Sequence, residues 1–145
     1  MVEPAGRSLL PFHTIDGRWW PNLHLPAGLH LVRDADEWTR LWARSPFCPP
    51  KPPALEVNWQ TEMCVVAALG TRPNGGYFVL IDTIEVNGGQ IMVLVWEIRP
   101  GPGCATTRGI TFPFHAVSAP AHAGEATLFK RIAYEDCKPI ETVQY

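Results

Sequence analysis

A carboxylate on an apolar strand face is the first place in this chain where chemistry could sit. Glu97 shares the alternating face Ile91, Val93, Val95, Glu97 and stands three residues before Pro100. A charge in such a row needs a partner, and Arg72, Arg99 and Arg108 are the candidates. The group reads first as a structural ion pair that holds loops together, and second as a contact for a ligand or partner. An acid–base role would call for a second carboxylate paired with it, and the sequence offers none.

Other reactive patterns are weaker. Gly75-Gly76 lacks the GxGxxG and GxxxxGK spacings of phosphate cradles and leads into a strand, so it reads as a turn that needs positive φ. The five histidines are His13, His24, His30, His115 and His122. No pair has helical metal-ligand spacing. His24 and His30 fall in candidate neighbouring strands that His115 could approach, which keeps a histidine metal site as a minor alternative. No GxSxG occurs, and no serine or cysteine has the surroundings of an activated nucleophile.

The cysteines are Cys48, Cys64, Cys104 and Cys137. None has zinc-knuckle or CxxC spacing, and one or two disulfides stay open. Cys64 lies in the apolar run Met63–Ala67 and reads as a buried small hydrophobe. Cys104, beside Gly103, reads as a loop thiol. These patterns call for no cofactor and no metal.

Aromatic residues are the remaining clue. Trp19-Trp20-Pro21, Trp59, Tyr77 and Phe112-Pro113-Phe114 are many for so short a chain. Tryptophan and tyrosine concentrate at binding hot spots, and they also fill cores. Trp38, Trp42 and Trp96 read as core. Trp19, Trp20 and Tyr77 are open between the two roles.

The elements that would position these residues are mostly strands. Ser8 to Asp16, Leu23–Leu25 and Leu29–Val32 are candidates. Asp34 reads as a helix N-cap with Glu37 completing a capping box, and the helix runs from Ala35 to about Ala43 with Trp38, Leu41 and Trp42 on one face. Residues 46–53 are proline-rich and read as a stiff extended connector rather than a ligand for a proline-recognising domain. Strands follow at Cys64–Leu69 and Tyr77–Val86. An Asn87-Gly88 turn, with Gly89 adding a bulge, leads to a return strand at Ile91–Ile98. Both faces of that return strand are apolar, so it is expected to be central and covered on both sides, by a second sheet, the helix or another subunit. The last strands fall near 114–118 and 127–132.

Bulk properties bound the rest. The chain has 145 residues, 12 Lys plus Arg against 14 Asp plus Glu, and a net charge of −2. That length suits a single domain, 1–145, with a real core. The balance argues against a nucleic-acid binder. The 15 prolines and 12 glycines suit short strands and turns. No apolar run reaches the ~18 residues of a membrane span. The expected architecture is α+β but mainly β: about seven or eight mostly antiparallel strands, two-layered or barrel-like, with one short helix near 35–43.

The order of motifs resembles the PrcB-like family, named for an accessory subunit of a bacterial subtilisin-like protease complex. The matching pieces are Glu37-Trp38 with Leu41-Trp42, Val65–Gly70, Arg72-Pro73-Asn74-Gly75-Gly76-Tyr77, Val93–Glu97 with Pro100, and Thr111–Phe114 with Pro120. They span roughly residues 28–132. The resemblance implies a non-catalytic module that associates with a protease or helps to stabilise it, with no catalytic residue and no cofactor. Many members look exported or lipid-anchored. No basic-then-apolar leader opens this chain, which is expected to be cytoplasmic or trimmed of an export signal.

On this reading Tyr77, Trp96, Glu97, Arg99, Pro113 and Phe114 shape the distinctive surface or the scaffold beneath it. Arg72, Gly75 and Gly76 set the loop that presents Tyr77. A protein partner is the first expectation, and self-association to a homo-oligomer through the doubly apolar strand is a side expectation. A small-molecule-binding β domain, with an apolar pocket between sheet and helix and Glu97 as its polar anchor, is the alternative.

Overall fold

The computed structural model describes residues 7–15, 23–45, 55 and 57–137. The expected connector at 46–53 and the Trp19-Trp20-Pro21 aromatics lie outside the described residues. In chain order the elements are β1 (Ser8–Leu9), β2 (His13–Thr14), β3 (Gly28–Val32), α1 (Ala35–Ala43), β4 (Glu62–Ala68), β5 (Arg72–Asn74), β6 (Phe78–Asn87), β7 (Gln90–Pro100), β8 (Arg108–Thr111), β9 (Phe114–Pro120) and β10 (Ala126–Glu135). The candidate strand at 8–16 is therefore two short pieces, and Leu23–Leu25 is not a strand, although Leu23 and Leu25 are buried.

The unbroken apolar run Met63–Leu69 explains the layering. Along a strand, alternate side chains point to opposite faces. Met63, Val65 and Ala67 face one core, while Cys64, Val66 and Ala68 face another. Strand β4 is thus covered on both sides, as continuous apolar strands require. It sits inside a middle sheet of order β2-β9-β4-β3. One face of this sheet packs on Val79, Ile81 and Ile84 of β6 and Ile91, Val93 and Val95 of β7. The other takes Trp38, Leu41 and Trp42 of α1, together with Leu23 and Leu25. Burying each of those large side chains contributes about 1.5–3 kcal/mol.

The helix forms where its cap is encoded. Asp34 is extended, and its Oδ1 accepts the Glu37 N–H at 2.7 Å. Glu37 reaches back one residue further than the usual box, and its Oε2 accepts the Arg33 N–H at 3.1 Å.

The outer sheet has the order β1-β6-β7-β10. Strand β6 must bury both Ile81 and Ile84, which a strict two-residue alternation forbids. A bulge between Ile81 and Thr83 shifts the register and reconciles them. The loop joining β6 to β7 is Gly88-Gly89, one residue later than the Asn87-Gly88 expectation. Asn87 pairs with Gln90, and the two glycines carry positive φ of 58° and 86°. Both central positions of this tight turn need that left-handed conformation, and glycine adopts it without strain.

Strand β7 is central, between β6 and β10, but only one of its faces is covered. Met92, Leu94, Trp96 and Ile98 are half-buried on the outward side, where Phe78, Leu80 and Phe129 are exposed. No second layer covers that side among the described residues. The apolar pattern of β7 alone could not separate this from full cover. The β7–β10 pair is parallel, with Ala126 opposite Ile91 and Glu135 opposite Pro100; the other strand pairs are antiparallel. The sheets are open, which removes the barrel and leaves the layered arrangement. Among the described residues no helix is long and apolar enough to cross a membrane.

Candidate functional site

Alternation along β7 sends Glu97 inward after Ile91, Val93 and Val95, and its side chain has no solvent exposure. Its partners come from three strands. Arg72 of β5 donates Nη2 to Oε1 at 2.6 Å, Lys130 of β10 donates Nζ to the same oxygen at 2.9 Å, and Arg99 of β7 donates Nε to Oε2 at 2.5 Å. Burial alone would raise the Glu97 pKa. The hydrogen bonds from Lys130, Arg72 and Arg99 outweigh it and bring the carboxyl down to about 2. Glu97 in turn holds Arg99 above its ordinary value, with a smaller contribution from Tyr134. The carboxylate is therefore ionised and both its oxygens are occupied. Among the described residues no buried polar side-chain atom lacks a partner.

Arg72 also ties the cluster to the following loop. Its Nη1 donates to the carbonyls of Leu69 at 2.8 Å and Thr71 at 2.9 Å, and its guanidinium lies 5.8 Å from the centre of the Tyr77 ring. Gly75 and Gly76 follow, and neither has positive φ, contrary to the turn expectation. They are glycines because the 100–107 loop comes too close. A Cβ on Gly75 would fall 2.0 Å from Thr107 Oγ1, and one on Gly76 would fall 2.7 Å from Thr106 Cγ2 and 2.9 Å from Pro100 Cβ. Asn74 Oδ1 accepts the Gly76 N–H at 2.9 Å, and Gly75 N–H donates to Thr107 O at 3.1 Å. Tyr77 is thereby held in the wall of a hollow of about 390 Å³, which Gly75, Pro113 and Phe114 also line.

A second hollow, of about 610 Å³, adjoins the first across the stacked rings of His24 and Phe112, whose centres are 3.9 Å apart. The two together form an open groove. His24 carries no sequence signal for this role, because its partner Phe112 is 88 positions away and only the fold joins them. Phe112 stood among the aromatics without being singled out. Lys130 was missed in the charged cluster because it reaches Glu97 through a parallel pairing that local patterns do not announce.

The nine residues expected to mark a surface divide three ways. Arg72, Glu97 and Arg99 form the charged cluster. Gly75, Gly76, Tyr77, Pro113 and Phe114 build or line the groove, with Arg72 joining the two groups. Trp96 is apart from both, on the outward face of β7, with the Arg131 guanidinium 5.9 Å from its ring centre.

The histidines go separate ways. His24 stacks on Phe112, His30 Nε2 bonds the Pro26 carbonyl, and His115 joins Thr14 and Ile81. Among the described residues the one group spaced to hold a metal is Cys104, Glu135 and Cys137. Its two sulfurs are joined in a disulfide. Cys104 is thus not the free loop thiol the sequence suggested, whereas Cys64 is free and buried, with its thiol pushed up to about 12 by burial.

Residues 63–120 match the family model described as PrcB C-terminal, and this supports assignment to the PrcB-like family. The matched span runs from β4 through β9 and holds Arg72 to Tyr77, Glu97, Arg99 and Phe112 to Phe114. The α1 residues and Lys130 lie outside it. No curated protein and no solved structure matches the chain.

Proposed function

We propose that this PrcB-like chain is a non-catalytic accessory module that binds a protein of a protease complex through the groove between Tyr77 and Phe112-Pro113-Phe114. The observation that carries this reading is the convergence of four expected surface residues, Gly75, Tyr77, Pro113 and Phe114, on one open hollow. The family match points to an accessory rather than a catalytic part. Aromatic side chains fixed by packing lose little entropy on binding, and they recur among hot spots. Strand β8 pairs with β5 alone among the described residues, and its Ile110 is exposed beside the groove. An extended segment of the partner can add to that edge while its side chains enter the hollow.

The Cys104–Cys137 disulfide favours an oxidising compartment, where such bonds persist. That agrees with a partner outside the reducing cytosol.

The test is a pull-down from the native host with the wild-type chain and the Tyr77→Ala, Phe112→Ala double variant, followed by direct titration of any protease or protease-complex subunit captured. Loss of a central aromatic anchor is expected to weaken binding by about 2 kcal/mol or more. Equal binding by the folded variant, or no protease-complex subunit among the captured proteins, overturns the reading.

A further inference from the structure

A separate cleft of about 250 Å³ opens where the outer and middle sheets part, between β10 and β3. Ala67, Leu69, Val79, Val95 and Leu128 give it apolar walls, and Lys130 is the one charged residue that lines it. Lys130 Nζ has three donors and spends one on Glu97 Oε1. Its neighbours around Glu97 make the charge balance uneven. Three cations, Arg72, Arg99 and Lys130, surround one carboxylate, and Glu97 pairs with no other group. The carboxylate is fully buried while the Arg99 and Lys130 side chains are 34% and 37% exposed. The three contacts therefore leave two units of positive charge over, and of the three cations Lys130 is the one that lines the apolar cleft.

We infer that this cleft binds a short apolar chain ending in a carboxylate, with the tail between the sheets and the acid on Lys130. Arg99 and Arg72, held on the same Glu97 carboxylate as Lys130, add to the attraction. Glu97 is not the anchor. It fixes the cations in place, and its own negative charge repels a second carboxylate. The cleft is smaller than the ~300 Å³ lower end of ordinary ligand pockets, which restricts the tail to a short one. This site does not use the aromatic groove and does not rest on the protein-binding reading.

The probe is sodium octanoate, titrated calorimetrically at neutral pH, with octanol and acetate as controls for tail alone and head alone. Octanoate is expected to bind one per chain, about tenfold or more tighter than either control, because a charge-assisted hydrogen bond and apolar burial act together. Lys130→Gln and Leu128→Trp are each expected to weaken it about tenfold or more, the first by removing the head contact and the second by filling the cleft, while Lys130→Arg keeps most of the affinity. Leu9→Ser, at an exposed position of β1 that neither lines the cleft nor touches the cluster, should bind octanoate as the wild type does.

An acetylated tripeptide ending in a free leucine carboxylate, run beside octanoate, distinguishes chain ends from fatty acids as the source: the tighter of the two names it. Octanoate binding no tighter than octanol overturns the inference on the wild-type chain, with no variant needed. Unchanged binding to folded Leu128→Trp overturns it as well.

Discussion

Arg72 and Glu97, 25 positions apart, meet with Nη2 2.6 Å from Oε1, and the contact binds the Tyr77 loop to the centre of the outer sheet. It is the hinge between the charged cluster and the groove, because the same guanidinium lies against the Tyr77 ring. Removing the carboxylate would leave three cations facing one another. Glu97→Ala is expected to lower stability by about 3 kcal/mol in urea unfolding, toward the low end for a broken buried pair because the cations can hydrate. It should also loosen the groove. A variant as stable as the wild type would show that the cluster contributes nothing net.

The same cluster sets an acid limit. The Glu97 pKa falls from an ordinary 4.5 to about 2 on folding. A lowered carboxylate stabilises the fold fully above the unfolded value, and the contribution is lost as pH falls through the folded one. Stability should therefore drop between about pH 4.5 and about pH 2. Glu97→Gln should flatten that part of the curve. An equally steep acid limb in the variant would place the loss on other carboxylates.

His115 fastens the two sheets. Its Nδ1 accepts the Ile81 N–H at 2.9 Å, which leaves Nε2 to carry the proton and donate to Thr14 Oγ1 at 2.9 Å. A protonated ring could not accept from Ile81. Burial lowers the pKa of this histidine below 6.5. The neutral ring is thus favoured in the fold, so its contribution is complete above pH 6.5 and is lost as pH falls from there toward the lowered value. One proton accounts for at most about 1.4 kcal/mol per pH unit. Urea midpoints measured from pH 7.5 to 5 should fall in the wild type and fall less in His115→Gln. Parallel curves would show that the ring is not held neutral.

These particulars show what a linear sequence displays and what it hides. The Asp34 cap, the Trp38-Leu41-Trp42 face and the strand expected at Cys64–Leu69, which runs Glu62–Ala68, were legible because each is a local pattern with one physical reading. Residue Glu97 was legible as a charge in need of partners, and two of its three partners were among the expected arginines. The cover of β7 was misread because an apolar strand face looks the same whether a layer or solvent lies beyond it. Gly75 and Gly76 were misassigned to positive φ because close approach by a distant loop and a left-handed turn both select glycine. Lys130 and His24 depend on contacts 33 and 88 positions away, which only the assembled sheets create.

The two glycines can be separated by substitution. The obstacle to a Cβ at Gly75 is the Thr107 hydroxyl, which can rotate away, the next atom being 3.4 Å off. At Gly76 the obstacles are Thr106 Cγ2 and the Pro100 ring, which is rigid. Gly76→Ala is expected to cost about 1–3 kcal/mol as an overpacked site, and Gly75→Ala less than about 1 kcal/mol. Thermal unfolding of both variants checks the order. A larger loss at Gly75 would mean that the Thr107 side chain is locked.

The last prediction concerns the Cys104–Cys137 bridge, which spans 33 positions and joins the loop after β7 to the chain just beyond β10. Closing a loop of that length removes freedom from the unfolded chain, and the expected stabilisation is roughly 2–4 kcal/mol. Thiol titration of the denatured, unreduced protein should leave Cys104 and Cys137 unlabelled and label Cys64. Cys104→Ser with Cys137→Ser should lower the unfolding midpoint while keeping the strand signal. Because Gly101 lies against the Glu135 carbonyl, with no room for a Cβ, the loop and the end of β10 stay packed even when the sulfurs are gone. The cut should therefore act on stability far more than on the Arg99 contact to Glu97. A double variant that unfolds at the wild-type denaturant concentration would show that this packing alone closes the loop, and that the bridge adds nothing to it.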